Sequence, residues 1–383
     1  MPRPVKMHAM RQSSPADPDP SSLPAFLTAA ALALAGLAFH LSAWGEQASL
    51  ALLDAGFGIL RAIKPGETPD DIVVVGLDAA AASPEIDPVG PALRTLPDVL
   101  VRIARGSPRA ISLHAPLPRA SLEADAPGLD DALATALSVA QAAAPLAIAM
   151  AVDSRREVVP IHEALLRGID TRSLAFALLP RDEDGVVRRV VLALPTQQGK
   201  WPTSAGWLCE VLGGRCEQGL IDYALGPAYR YVPARRLLEI RDDKALARLF
   251  RGRVVFVAPI AMPADRVPQP VSLAGWEPPS REPAAVLAHA QTLRTLLHGS
   301  PVREASPPVM LLAITLAALV ALVAAPVAPA AGVLAAAGTC AGALIALRLG
   351  WYVPPAAALL TLLAAVIASR ILGRDSRPAR HGA

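Results

Sequence analysis

Residues 71–78 read DIVVVGLD, and the fold turns on this stretch. Its apolar run is continuous, rich in β-branched residues, bounded upstream by Pro69 and ended by Asp78. Such a run lacks the polar alternation of a half-exposed strand, so it predicts a strand buried on both faces, as in a parallel sheet covered by helices. Downstream, PALRTLPDVLVRIARGSP (91–108) brings Leu96, Leu100, Val101 and Ile103 together on a helix that stops at Gly106. RAISLHAPL (109–117) reads as a second short strand, LDDALATALSVAQAAAP (129–145) as a helix, and LAIAMAV (146–152) as a third strand. Strand and helix alternating at this spacing predict βαβ units and an α/β domain with helices on both faces of one sheet.

Beyond the third strand, LAFALLP (174–180), the turn DEDG (182–185) and VVRRVVLAL (186–194) predict a β-hairpin, because Asp184-Gly185 is a strong turn signal. Successive strand residues point to opposite faces, so one of Arg188 and Arg189 can pair inward with Asp182 or Asp184 while the other meets solvent. We read these five residues, Gly185 included, as a structural unit rather than a ligand site. TSAGWLCEVLGG (203–214) predicts a helix with a glycine stop, RGRVVFVAPI (251–260) another buried strand, and PAAVLAHAQTLRTLLHGSP (283–301) a last helix. If the first of these helices ran on past Cys209, Cys216 would lie ~10 Å along its axis, too far for a disulfide. A bridge requires that helix to end near Gly213-Gly214.

Composition places this domain at a membrane. The chain has 383 residues, 53% of them hydrophobic, a formal charge of only +3 and a mean hydropathy of +0.40. That charge gives no reason to invoke nucleic acid, and that hydropathy calls for membrane spans. Four apolar runs reach the about 20 residues that cross a bilayer, at 23–43, 307–327, 329–347 and 353–372. The short links PVAP and RLGWYVP make the last three antiparallel neighbours. Arg3, Lys6 and Arg11 precede the first run and Arg370, Arg374, Arg377 and Arg380 flank the end of the last, which predicts both termini on the cytoplasmic side. Trp351 and Tyr352 would then anchor the outer interface. A cleaved signal peptide is the competing reading of residues 23–43, but Leu41 suits cleavage poorly. The expected organisation is a disordered cytoplasmic tail (1–22), one span, an outward domain (44–306), a three-helix membrane unit (307–372) and a short cytoplasmic tail (373–383). Within that unit Gly338 and Gly342 stand four apart, a spacing for close helix packing, with a homodimer seam as the alternative. Cys340 between them reads as inert packing.

The order of these features resembles the type 2 CHASE domain, a bacterial extracytoplasmic sensory module flanked by one span before it and three after. The resemblance rests on DIVVVGLD, LVRIARGSPRAISL, DEDGVVRRVVL, LFRGRVVFVAP with Asp265 soon after, and PAAVLAHAQTLRTLLHG. It reaches from the first span to Leu372. There are departures: IDPVGPALR keeps only Arg94 of a W-P-W-P-R stretch, His114 stands where an aspartate is usual, and Ala258 and PAAV replace glycine-containing forms. The resemblance implies a sensor in the inner membrane with its domain in the periplasm. Only residues 373–383 follow the last span, so the expectation is a signal passed to a separate effector in place of an attached output domain. The other reading is a docking or assembly component with no signalling role.

Ligands of open α/β sheets gather outside the carboxyl ends of the strands. Asp78 and His114 end two such strands, Asp265 follows a third, and Arg94 and His289 belong to the adjoining helices. These five residues are the candidate ligand site. The opposing reading makes the two aspartates caps and the histidines structural. No nucleophile–base pattern, phosphate-binding loop or metal-ligand spacing occurs, so we expect no enzyme, no cofactor and no metal.

Overall fold

The computed structural model describes residues 22–77, 89–151, 157–196, 199–260, 265–277, 282–324 and 329–375. Asp78, nearly all of the tail at 1–22 and the last residues, 376–383, lie outside them. The chain starts with α1 (Ser22–His40) and α2 (Ala43–Ile63), then runs through β1 (Ile72–Leu77), α3 (Gly90–Arg105), β2 (Ala110–Leu113), α4 (Leu129–Ala143), β3 (Leu146–Met150) and β4 (Leu174–Phe176). Next come β5 (Arg189–Val190), β6 (Ala193–Thr196), β7 (Gly199–Pro202), α5 (Ser204–Leu212), β8 (Gly219–Leu220) and β9 (Arg230–Pro233). Helices α6 (Ala234–Glu239) and α7 (Asp243–Phe250) lead to β10 (Val254–Pro259) and α8 (Ala285–His298). The chain continues through β11 (Arg303–Glu304), α9 (Pro307–Ala324), α10 (Pro329–Arg348), β12 (Trp351–Tyr352) and α11 (Ala356–Asp375).

Two units result. The larger comprises Leu50–Ala305 with Ala343–Val353, and its centre is a six-stranded sheet in the order β4-β3-β2-β10-β1-β9, parallel throughout. All six residues of β1 are buried, which is why its sequence shows no polar alternation. The strand period divides them between two cores. Ile72, Val74, Phe256 and Ala258 face one side with Leu53 and Phe57 of α2, Leu208 of α5 and most of α8. Val73, Val75, Leu77, Val255 and Val257 face the other with α3, α4, α6 and α7. Residues Ala285 to Leu296 of α8 are all buried, polar ones included.

The expected hairpin does not form. β4 pairs with β3 at the edge of the large sheet, whereas β5 pairs with β8 in a separate two-stranded ladder. The larger sheet offers β4 a parallel edge, and Pro180, which has no N–H, interrupts any ladder running toward the turn. Only the tip survives as read: Gly185 takes a φ of 83°, its N–H donates to the Asp182 carbonyl at 2.8 Å, and the Asp182 N–H donates to the Val186 carbonyl at 2.9 Å. The α5 helix ends at Leu212, and Gly213 follows at a φ of 71°. The chain therefore turns back, and Cys209 and Cys216 are joined in a disulfide with Cα atoms 5.8 Å apart.

The smaller unit comprises Met1–Ser49, Ser306–Gly342 and Pro354–Ala383. Here α1, α9 and α11 pack together, and Ala317, Ala358, Leu362 and Ala365 form a small apolar core. Among the described residues, a Cβ built at Gly338 or Gly342, where close packing is expected, meets no atom within 4 Å. The close approaches fall at Gly36, against Thr361 and Ile314, and at Gly332, against Val366. Among the described residues one helical stretch, Ala331–Arg348, has the length and apolarity to cross a membrane; Ala30–His40, Pro307–Val320 and Ala356–Ile367 are shorter apolar stretches.

Candidate ligand pocket

A cavity of about 290 Å³ opens in the larger unit beyond the carboxyl ends of β2, β4 and β10. His114 reaches it because β2 ends at Leu113 and the His114 N–H still donates to the Val257 carbonyl at 2.7 Å, extending the ladder by one residue. Its Nε2 lies 3.0 Å from the Ser112 hydroxyl, and its ring centroid lies 5.6 Å from that of Phe256. His289 enters from the second turn of α8 with only 5% of its surface exposed, and the two imidazole centroids are 4.3 Å apart. Asp265, on the segment after β10, lines a further part of the wall. The remaining wall is the segment after β4 (Ala177, Leu178, Leu179 and Arg181), Val267, and the first turn of α8 at Ala285 and Val286.

Burial sets the charge of this cavity. It pushes His114 down to about 4, and it pushes His289 well below the ordinary histidine value, with the neighbouring His114 adding to the effect. Both rings are therefore neutral near pH 7. Burial acts oppositely on Asp265, raising it, and Asp265 has no ion pair among the described residues. Among the described residues no group of three His, Cys, Asp or Glu side chains could hold a metal ion.

Three of the five candidate residues thus line one cavity. Arg94 does not: it is exposed on α3, which packs on the opposite face of the sheet. Asp78 lies outside the described residues. Sequence reasoning missed Arg181 and the first turn of α8. The departure PAAV touches that turn, and Arg181 directly precedes the acidic tip, but neither carries a signal of its own.

The acidic turn builds a different structure. Arg188 is 1% exposed, and all five of its N–H donors are engaged. Nε and Nη2 reach Asp54 of α2 at 2.8 and 2.7 Å, Nη1 reaches Asp182 and Asp184 at 3.0 and 2.9 Å, and Nη2 also reaches Asp184 at 2.7 Å. Burial would lower this guanidinium, but the three carboxylates outweigh burial and raise it. Arg189, 42% exposed, pairs with Asp182 at 3.0 Å and with Glu304 at 3.1 Å.

Farther along α8 the polar face satisfies buried backbone. Gln291 donates to the Asp222 and Leu225 carbonyls at 2.6 and 2.9 Å and accepts from the Tyr229 hydroxyl at 2.7 Å. Arg294 lies 3.8 Å over the Tyr229 ring and donates to the Pro227 carbonyl at 2.8 Å, and His298 meets Asp71 at 2.7 Å. The helix that carries His289 is thereby held along its length.

No curated protein and no solved structure matches this chain. The family model for the CHASE2 domain matches residues 28–326, most of the chain. A buried parallel sheet, the order of motifs read from the sequence and this match agree: the chain belongs to the CHASE2 family of extracellular sensory domains.

Proposed function

We propose that the chain is a membrane-anchored extracytoplasmic sensor of the bacterial inner membrane. Its four apolar segments hold it in the bilayer, its α/β unit faces the periplasm, and the cavity at the strand ends takes the ligand. The observation that carries this reading is the path of α8. One end forms the wall of the cavity at Ala285, Val286 and His289, and the other leads through residues 299–306 into α9. A ligand that favours one arrangement of α8 would bias the helices that follow and, through them, an effector in the cytoplasm, since only differential affinity shifts such an equilibrium. Support for the bilayer comes from the outward apolar side chains of α9, α10 and α11, among them Leu316, Val333, Leu334, Ile345 and Leu363, each about half or more exposed. The structural disulfide suits an oxidising compartment.

The test uses full-length protein in lipid nanodiscs. A low-molecular-weight periplasmic extract should raise its unfolding temperature, and Ala177→Trp, which fills the cavity mouth, should remove the effect. Equal stabilisation of both proteins would place the ligand elsewhere. No stabilisation, together with recovery of envelope assembly proteins on affinity capture, would favour the docking reading.

A further inference from the structure

The cavity lining brings groups of opposite charge preference together. The Asp265 carboxylate has no ion pair or hydrogen bond among the described residues, and burial raises it. An uncompensated carboxylate in such a site favours a cationic or strongly donating group. Beside it α8 begins, since Arg266 is bridged to Ala284 and the Val267 N–H donates to the Pro283 carbonyl at 3.1 Å. Its capping position is Ala284, which offers no side-chain acceptor to the first turn, and Ala285 and Val286 line the cavity there. The opening N–H groups of a helix lack the usual acceptor one turn back and together act as about half a positive charge, although here the Leu287 N–H donates to the Ala284 carbonyl at 3.1 Å. His289 supplies the independent sign of a ligand on that side. It is nine-tenths buried, lines the same cavity, and its ring nitrogens have no hydrogen-bond partner among the described residues. Arg181 lies on the same lining and forms no salt bridge with Asp265 or any other described carboxylate. Leu178, Leu179 and Val267 give the lining an apolar part.

We propose that this cavity binds a small zwitterion of the amino-acid class, with its ammonium on Asp265, its carboxylate on the first turn of α8 beside Arg181 and His289, and its side chain on the apolar wall. A plain anion would be opposed by Asp265, and a plain amine by the helix end and Arg181. Only a ligand with both charges satisfies both groups. The volume of about 290 Å³ is at the lower limit of small-molecule sites, which are roughly 300–1,000 Å³, and so points to a compact ligand. The proposal rests on the sensor reading above and specifies its ligand.

Full-length protein in nanodiscs is screened by thermal shift against the common amino acids, and the best is followed by calorimetry beside its deaminated acid and its decarboxylated amine. At least one amino acid should bind, and each truncated analogue should bind at least about tenfold more weakly, which is about 1.4 kcal/mol. Asp265→Asn should abolish the preference for the amino acid over the deaminated acid. Arg181→Gln should instead weaken the amino acid while sparing the amine, so the proposal stays testable if either variant folds poorly. Equal binding of the deaminated acid to wild-type protein overturns the zwitterion. Pocket-dependent stabilisation by the periplasmic extract with no response to any amino acid overturns it too, while the sensor reading stands. Silence from both overturns both.

Discussion

Replacing Arg188 by methionine should destabilise the α/β unit by about 3 kcal/mol at pH 7. The guanidinium is 1% exposed and is the only cation within ion-pair distance of Asp54 and Asp184 among the described residues; Asp182 also has Arg189. Removing one partner of a buried pair costs roughly 3–5 kcal/mol, because the remaining charge is left uncompensated. Here the lower end applies, since the Asp54 and Asp184 side chains keep 24% and 34% of their surface in water. Lysine should fall between the two proteins, because three donors on a point charge cannot reproduce five in a planar fork. The assay is urea unfolding of the full chain in detergent, followed by tryptophan fluorescence. The pH dependence tests the cause. With Arg188 present, hydrogen bonding to it holds the Asp184 carboxyl below the usual range, so that contribution exists above the unfolded value and is lost as pH falls through the folded one. In the methionine variant the crowded carboxylates bind protons more readily folded than unfolded, so acid stabilises them and the gap to wild type narrows. Adding Asp54→Asn and Asp184→Asn should recover about half of the loss. A methionine variant within about 1 kcal/mol of wild type, or a gap that widens toward acid, would refute the reasoning.

Further expectations follow from the same structure. His114 titrates at about 4 when folded against an ordinary 6.5, so between these values the unfolded chain holds a proton that the folded chain does not. Stability should therefore fall as pH drops from 6.5 toward 4 and stay level above 6.5 on this account, and urea midpoints should show a shallower slope for His114→Gln. Cys216→Ser opens a loop with a sequence separation of 7 and should cost about 2 kcal/mol. Dithiothreitol should impose the same loss on wild type and none on the variant. A Cβ on Gly206 would overlap the Leu192 carbonyl, a backbone group that cannot step aside as a side-chain tip can. Gly206→Ala should then cost about 1–3 kcal/mol, read as a lowered urea midpoint at unchanged slope.

Much of the sheet is legible in the sequence because burial on both faces leaves a local trace. IVVVGL became β1, AISL β2, LAIAM β3 and VVFVAP β10, each apolar enough to need no context. The misses depend on partners far along the chain. β9 contains Arg230 and a proline and became a strand because the edge of β1 was open to it. β4 found β3 instead of the segment beyond the acidic turn, so a sound turn signal led to a wrong ladder. Asp54 stands 134 residues before Arg188, and nothing near either residue names the other. At the pocket, His114, Asp265 and His289 were legible as strand-end and helix residues, since the parallel sheet dictates where its loops gather. Arg94 was misplaced because family resemblance marked a residue without saying which face of the sheet its helix covers.

The α/β unit takes in Ala343–Val353 as well as Leu50–Ala305. Leu347 and Tyr352 belong to the same core as Leu53 and Phe57, Arg348 donates to the Lys64 carbonyl at 3.1 Å, and the Arg303 and Ala305 N–H groups at β11 donate to the Gly350 and Tyr352 carbonyls, each at 2.9 Å. The sensory body is therefore discontinuous along the chain. Excising residues 50–305 as a soluble piece would leave an apolar scar where Leu347 and Tyr352 had been, and one edge of β11 bare. A water-soluble version must carry residues 343–353 back as a graft, or be studied with its helices attached.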